Sequence, residues 1–289
     1  MHRTARLGGG AALAVAAVAG AGAYVVARVQ SRPPGDVRAF LTSRTGGSER
    51  SAPVVCAGAS IVRGRASVDF VEMLRARQPQ TAFVNAGVNG NLAWELLQRL
   101  DDVLACAPRA VVILVGTNDV QATLSRRAAD AVRRRKRLPE APSLAWYARC
   151  LGQIVDDLTS TGATVGLCSL PPLGQDLGDT SNIRVREFNA EIARVARERS
   201  AAYLPVSESM IEFLHARGAD AGPAWTGSPW PGVRSLAGRF LLGRSYDEIA
   251  GRAGWLLSPD GVHLDTDGAR IVADLAEAFL SPAGGRRAV

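Results

Sequence analysis

Lysine and histidine are almost absent from this chain. Among 289 residues Lys136 is the only lysine, and His2, His215 and His263 are the only histidines. The formal charge of +7 is therefore an arginine charge spread along the sequence, a compositional bias that does not argue for a nucleic-acid partner. Cysteine is also scarce. Cys56, Cys106, Cys150 and Cys168 show no C-x-x-C spacing and no paired histidine, which excludes the usual zinc frameworks, so no metal is expected. Cys56 and Cys168 lie inside apolar runs, where a thiol behaves as a small buried hydrophobe. An oxidising compartment would permit a Cys106–Cys150 disulfide. The first glycine loop, Gly58-Ala59-Ser60-Ile61-Val62-Arg63-Gly64, matches neither G-x-G-x-x-G nor G-x-x-x-x-G-K-[ST]. No nucleotide or flavin cofactor is expected from it.

Charge is missing from one long stretch. Arg3 and Arg6 precede an uncharged run over residues 7–27, which Arg28 and Arg32 close. It is long enough to span a bilayer, although rich in Ala and Gly. Ala19-Gly20-Ala21 and Ala21-Gly22-Ala23 resemble small-residue cleavage sites, so a signal anchor and a cleaved leader both stay open. We read residues 1–29 as a signal anchor, a transmembrane helix with the membrane as its partner. Either reading puts the rest of the chain outside the cytoplasm.

With 47% apolar and 21% charged residues, the remainder has the composition of a globular domain. Residues 30–52 are polar and read as a linker, with a short helical piece near 37–41. Over 53–289 short apolar runs alternate with helical patterns. Strands are expected at 53–57, 82–85, 110–115, 164–169 and 202–206, and helices at 67–77, 92–105, 144–161, 183–199 and 268–280. Five such alternations imply an α/β fold with a five-stranded parallel sheet covered on both faces. Two segments, 121–143 and 207–258, stand outside the alternation as insertions. The first carries Arg126, Arg127 and the run Arg133 to Arg137, and reads as a solvated helix face or a patch for anionic lipid headgroups or polymers. The second carries Trp225, Trp230 and Trp255, and reads as an accessory subdomain or a substrate-pocket wall.

In parallel α/β sheets, functional groups collect on loops beyond the carboxyl ends of the strands. These loops hold Gly58-Ala59-Ser60, Asn85-Ala86-Gly87-Val88-Asn89-Gly90-Asn91, Gly116-Thr117-Asn118-Asp119 and Pro259-Asp260-Gly261-Val262-His263. Together they contain the parts needed for acyl transfer. A serine hydroxyl needs a base to take its proton, and Ser60 and His263 are the candidates. The base needs an acceptor to fix its tautomer, which Asp260 supplies. A developing oxyanion needs preorganised donors, which the backbone N–H of Ser60 and Gly90 and the Asn118 amide could provide. Taken singly, Ser60 reads as a helix cap, Gly90 as a turn residue, Asn118 as an Asx-turn and Asp260 as a cap. Their order after successive strands favours the joint reading.

These four blocks resemble those of the SGNH (GDSL-type) hydrolase family, over roughly residues 53–280. The resemblance implies a flavodoxin-like three-layer α/β/α fold, no metal or cofactor, and hydrolysis of lipid, sugar or simple esters. It makes Ser60 the nucleophile, Gly90 and Asn118 oxyanion partners, and Asp260 with His263 the rest of a triad. Ala59 departs from the family, which usually has Asp before the serine; that Asp is not a triad member, and the expected effect of its loss is a looser loop presenting Ser60 and a lower activity. The first expectation is a serine esterase or lipase-like hydrolase working through an acyl-serine intermediate. An acyltransferase acting on cell-envelope sugars and a non-catalytic surface-binding protein on the same fold remain alternatives.

Overall fold

Five short apolar strands lie at the centre of the molecule, and four of them are buried along their whole length or all but one residue. The computed structural model describes residues 7–44, 52–219 and 221–281, with side chains described from residue 18 except at residue 44. The chain opens with α1 (Leu7–Gln30) and α2 (Val37–Arg44). Then follow β1 (Val54–Gly58), α3 (Ser60–Arg63), α4 (Phe70–Arg77), β2 (Phe83–Gly87), α5 (Ala93–Leu97), α6 (Leu100–Leu104) and β3 (Ala110–Leu114). The helices α7 (Thr117–Thr123), α8 (Arg126–Lys136) and α9 (Leu144–Thr159) lead to β4 (Thr164–Cys168). Beyond it come β5 (Gly174–Asp176), α10 (Thr180–Glu198), β6 (Ala202–Leu204), α11 (Val206–His215) and β7 (Ala221–Ala224). The chain continues with α12 (Trp230–Leu241), α13 (Tyr246–Ala253) and α14 (Thr266–Leu280).

The sheet has the order β2-β1-β3-β4-β6 with every pair parallel. Alternation along each strand divides its side chains between two cores. Val55, Ala57, Val111 and Ile113 face a cluster built with α5, α6, α9 and α10. Val54, Cys56, Val112 and Leu114 face a second cluster built with α3, α4, α11 and α14. The result is the expected three-layer α/β/α sandwich.

Four sequence expectations need adjustment. The helix expected over 92–105 is broken into α5 and α6 at Arg99, whose backbone leaves the helical region. Part of the expected linker packs on the domain: Asp36 bridges Asn85 beside β2, and Phe40 is buried. All four cysteines are buried and Cys150 carries a free thiol, so the Cys106–Cys150 bridge is not formed. The apolar run read as a signal anchor forms α1, but its side chains before residue 18 lie outside the described residues. Among the described residues no helix is long and apolar enough to cross a membrane, and a membrane span through α1 is not supported there.

Candidate active site

The chain runs from β1 outward to β2, then returns past β1 to β3 and continues outward on the other side. The strand order therefore reverses between β1 and β3, where open α/β sheets form a crevice at their carboxyl edge. Ser60 follows β1 and Asn118 follows β3, so both stand at this reversal. The register pairs Gly58 with both Gly87 and Leu114, which levels the exits of the three strands. Gly58 allows this close approach, because a Cβ there would lie 2.1 Å from the Leu114 carbonyl oxygen.

Ser60 is the first residue of α3, and the N-cap position belongs to Ala59, which makes no side-chain cap. Its hydroxyl is thus not spent on capping. Ser60 Oγ lies 3.0 Å from His263 Nε2, and His263 Nδ1 lies 2.8 Å from Asp260 Oδ2. With Nδ1 donating to the carboxylate, Nε2 is left as the acceptor facing the hydroxyl. The other Asp260 oxygen accepts from the backbone N–H of Val262 at 3.0 Å and His263 at 2.8 Å, which clamps the turn around its own acid. Asp260 retains 4% of its side-chain exposure and His263 19%, so the imidazole is reachable from solvent while the carboxylate is shielded. The cap of α14 is Asp265, which accepts from Gly268 N, leaving Asp260 to the histidine. Leu264 N donates to Ser67 Oγ and Val68 N to the Leu264 carbonyl, tying the histidine turn to the segment that follows Ser60.

The loop after β2 is braced from three sides. Gly90 has φ +73°, a left-handed conformation that favours glycine. Its carbonyl accepts from Lys136 Nζ at 2.9 Å, and the same ammonium meets both oxygens of Glu95 at 2.7 and 2.9 Å. Glu95 in turn accepts from Leu92 N at the start of α5. Asn118 Nδ2 donates to the Asn91 carbonyl, which links the loops after β2 and β3. Arg99 donates to the Asn91 side chain and to the carbonyls of Gly58 and Ala86, crossing from the loop after β2 to the strand that delivers Ser60. Asp119 is buried and accepts from Ala93 N with both oxygens. Burial pushes its carboxyl up to about 8, against hydrogen bonds from Ala93 and its own backbone.

Gly90 and Asn118 also line a groove of about 550 Å³. Leu92, Ala122, Val132 and Trp225 give it an apolar interior, with Arg135 and Lys136 at its edge. The insertion carrying Trp225 thus forms part of this wall, whereas Trp230 is exposed and Trp255 packs over Gly261. Among the described residues no cluster of His, Cys, Asp and Glu could hold a metal ion.

Ser60, Asp260 and His263 meet in one hydrogen-bonded line. Gly90 and Asn118 stand on adjoining loops connected through Asn91. Sequence reasoning missed Glu95, Arg99 and Lys136. The one available signal was Lys136 as a lone lysine in an arginine-rich chain.

The chain matches the model of the GDSL-like Lipase/Acylhydrolase family over residues 56–271. No curated protein matches it. Among solved structures, the acetyl xylan esterase AlAXEase is similar at 17% identity and TM-score 0.60, covering 79% of this chain and 100% of that one. A GDSL-like lipase from Bacteroides thetaiotaomicron is similar at 15% identity and TM-score 0.54, covering 86% and 98%. The acetylxylan esterase Axe2 from Geobacillus stearothermophilus is similar at 18% identity and TM-score 0.54, covering 78% and 92%. At these identities the structures show a shared fold.

Proposed function

The chain belongs to the GDSL-like lipase/acylhydrolase family and is an ester hydrolase, and from that premise we propose a serine esterase with Ser60 as nucleophile. The observation that carries the reading is the unbroken line from Ser60 Oγ through His263 to Asp260, at 3.0 and 2.8 Å. His263 Nε2 takes the hydroxyl proton as Ser60 Oγ attacks the ester carbonyl carbon. The carbonyl oxygen becomes an oxyanion facing the N–H groups of Ser60 and Gly90 and the Asn118 amide. The alcohol leaves with the proton carried by His263, and acyl-Ser60 remains. Water, deprotonated by His263, then attacks the acyl carbon. The acid departs, and the proton returns to Ser60.

Acetyl xylan esterases share the fold, which makes acetylated carbohydrate the first substrate class to examine. The charge-free run bounded by Arg3, Arg6, Arg28 and Arg32 supports an extracytoplasmic location. A reporter enzyme active only after export, fused behind residue 45 in a bacterial host, is expected to be active. An inactive fusion with normal expression would sink that placement.

Ser60→Ala is expected to abolish hydrolysis of p-nitrophenyl acetate and butyrate with an unchanged circular dichroism spectrum. A fluorophosphonate is expected to label the native protein at Ser60 and to leave the variant unlabelled. Turnover retained in the alanine variant would overturn the assignment.

A further inference from the structure

The arginine-rich helix α8 forms one side of the groove that begins at Gly90 and Asn118. Elsewhere in the molecule helical arginines meet acids one turn away: Arg184 with Glu187, Arg194 with Glu191 and Glu198, and Arg270 with Asp267. On α8 the one acid, Asp130, lies a turn from Arg126, Arg127 and Arg134 and forms an ion pair with none of them. Among the described residues Arg126, Arg127, Arg134, Arg135 and Arg137 meet no carboxylate, and all are exposed. Lys136 is already committed to Glu95 and the Gly90 carbonyl, so the uncompensated charge belongs to arginine.

Helix electrostatics account for only part of this pattern. Cations in the last turn, from Arg133 to Lys136, suit the negative end of the helix dipole. Arg126 and Arg127 occupy the first turn, where there is no acid and the dipole disfavours a cation. That placement costs stability within the helix, and a negatively charged ligand outside it would offset the cost. Arg127 and Arg134 are seven residues apart, two turns on one face that does not itself line the groove, and Arg135, about a quarter turn round the helix from Arg134, reaches into it. The guanidinium fork pairs with planar or tetrahedral oxyanions through two parallel hydrogen bonds.

We propose that the groove and the arginine face of α8 bind the anionic alcohol part of the ester substrate, a carboxylate-bearing polysaccharide acylated on its hydroxyls. The inference rests on Ser60 being the nucleophile, because it places the scissile acyl group beside Gly90 and Asn118. The charged remainder of the substrate then lies along Arg135, Arg134 and Arg127. A lipid surface suits the helix less well. Among the described residues α8 exposes no large apolar side chain, which an interfacial helix needs.

The test compares acetate release from O-acetylated alginate, a polyanion, with release from O-acetylated dextran, which is neutral. At low salt the native protein is expected to favour alginate by roughly tenfold in kcat/KM per acetyl group, and to lose that preference at about 0.5 M salt. The triple variant Arg127→Glu, Arg134→Glu, Arg135→Glu is expected to lose the preference, and the double variant Arg127→Glu, Arg134→Glu, whose residues do not line the groove, is expected to lower it while keeping p-nitrophenyl acetate turnover within about twofold. Equal rates on the two polymers, or a preference that survives the triple substitution, would overturn the proposal.

A binding measurement separates this result from the fate of Ser60. Ser60→Ala protein is expected to bind unmodified alginate oligomers, and the same protein carrying the three glutamates is expected not to. Binding of phosphatidylglycerol vesicles without binding of alginate would also overturn the proposal. If the native protein fails to hydrolyse p-nitrophenyl acetate but shows this charge-dependent binding, the assignment of Ser60 falls and the anion site stands.

Discussion

Asp260 and His263 perturb each other in opposite directions. Burial pushes the Asp260 carboxyl up, but the facing histidine charge and the hydrogen bonds from His263 and Val262 outweigh it and hold the carboxyl below its usual value. Burial pulls His263 down, and the charge and hydrogen bond of Asp260 outweigh it and raise the imidazole above 6.5. A base must be unprotonated to take the Ser60 proton, so kcat/KM for p-nitrophenyl acetate is expected to rise with pH through an apparent pKa above 6.5. Asp260→Asn removes the charge that raises it. That variant is expected to show a lower apparent pKa and a loss in kcat on the order of 10³- to 10⁴-fold, because the imidazole tautomer is no longer held. A native inflection below 6.5 would contradict the pairing. For stability, the carboxylate's contribution is lost as pH falls through its lowered folded pKa, and the imidazolium's is lost as pH rises through its raised one. The pair therefore supports the fold most between those limits. These residues were legible because each sits in a short block with its own turn chemistry. Arg99 and Lys136 were not, because their partners are tertiary: Lys136 lies 46 residues from Gly90.

Two of the elements around the site hold each other through buried or half-buried charges. Lys136 at the end of α8 holds the Gly90 carbonyl and Glu95 of α5, so the position of α8 is transmitted to the loop that carries Gly90. Lys136→Met is expected to lower kcat about tenfold with a smaller change in KM, since the loop loses its outer clamp during oxyanion formation. Lys136→Arg is expected to restore part of the loss, and an unchanged kcat in the methionine variant would show that the brace is idle. Asp119 joins the start of α5 to α7. Its pKa in the folded protein, about 8, exceeds the ordinary carboxylate value, so the native state holds a proton that the unfolded chain releases. Stability is therefore expected to fall as pH rises from about 4 toward 8, and Asp119→Asn is expected to flatten that decline in a series of thermal melts. A decline of equal slope in both proteins would remove Asp119 as its source. The strands were legible as buried apolar runs. The pairing of β5 with β7 was not, because Gly174–Asp176 and Ala221–Ala224 carry no apolar alternation. Nor was the break at Arg99, whose side chain is drawn to carbonyls of a different part of the chain.

The three-layer architecture was legible at the scale of the whole molecule, since the strand and helix patterns alternate in chain order. The packing of the N-terminal helix on the domain was not, because a charge-free run reads as a leader whatever its end touches. Arg63, three residues after Ser60, donates to the carbonyls of Gln30 and Ser31, and Asn89 donates to that of Val29. Arg65 reaches the Arg32 carbonyl, and Arg28 lies 5.9 Å from the Phe240 ring on α12. The last turn of α1 is thus capped by Arg63 of α3 and by Asn89 of the loop after β2, a common way to satisfy terminal carbonyls. All of these contacts begin beyond Ala21 and Ala23, where the two small-residue motifs end. A chain starting at Tyr24 therefore keeps them, and one starting at Pro33 loses them. The shorter chain leaves the Arg63 and Arg65 guanidiniums without these acceptors, at a cost of roughly 2–3 kcal/mol or about 5–10 °C in Tm. Its kcat is expected to fall with the loosening of α3, while the chain starting at Tyr24 matches the full-length protein in both Tm and kcat. Identical melts for the two truncated chains would show that the end of α1 rests on the domain without supporting it.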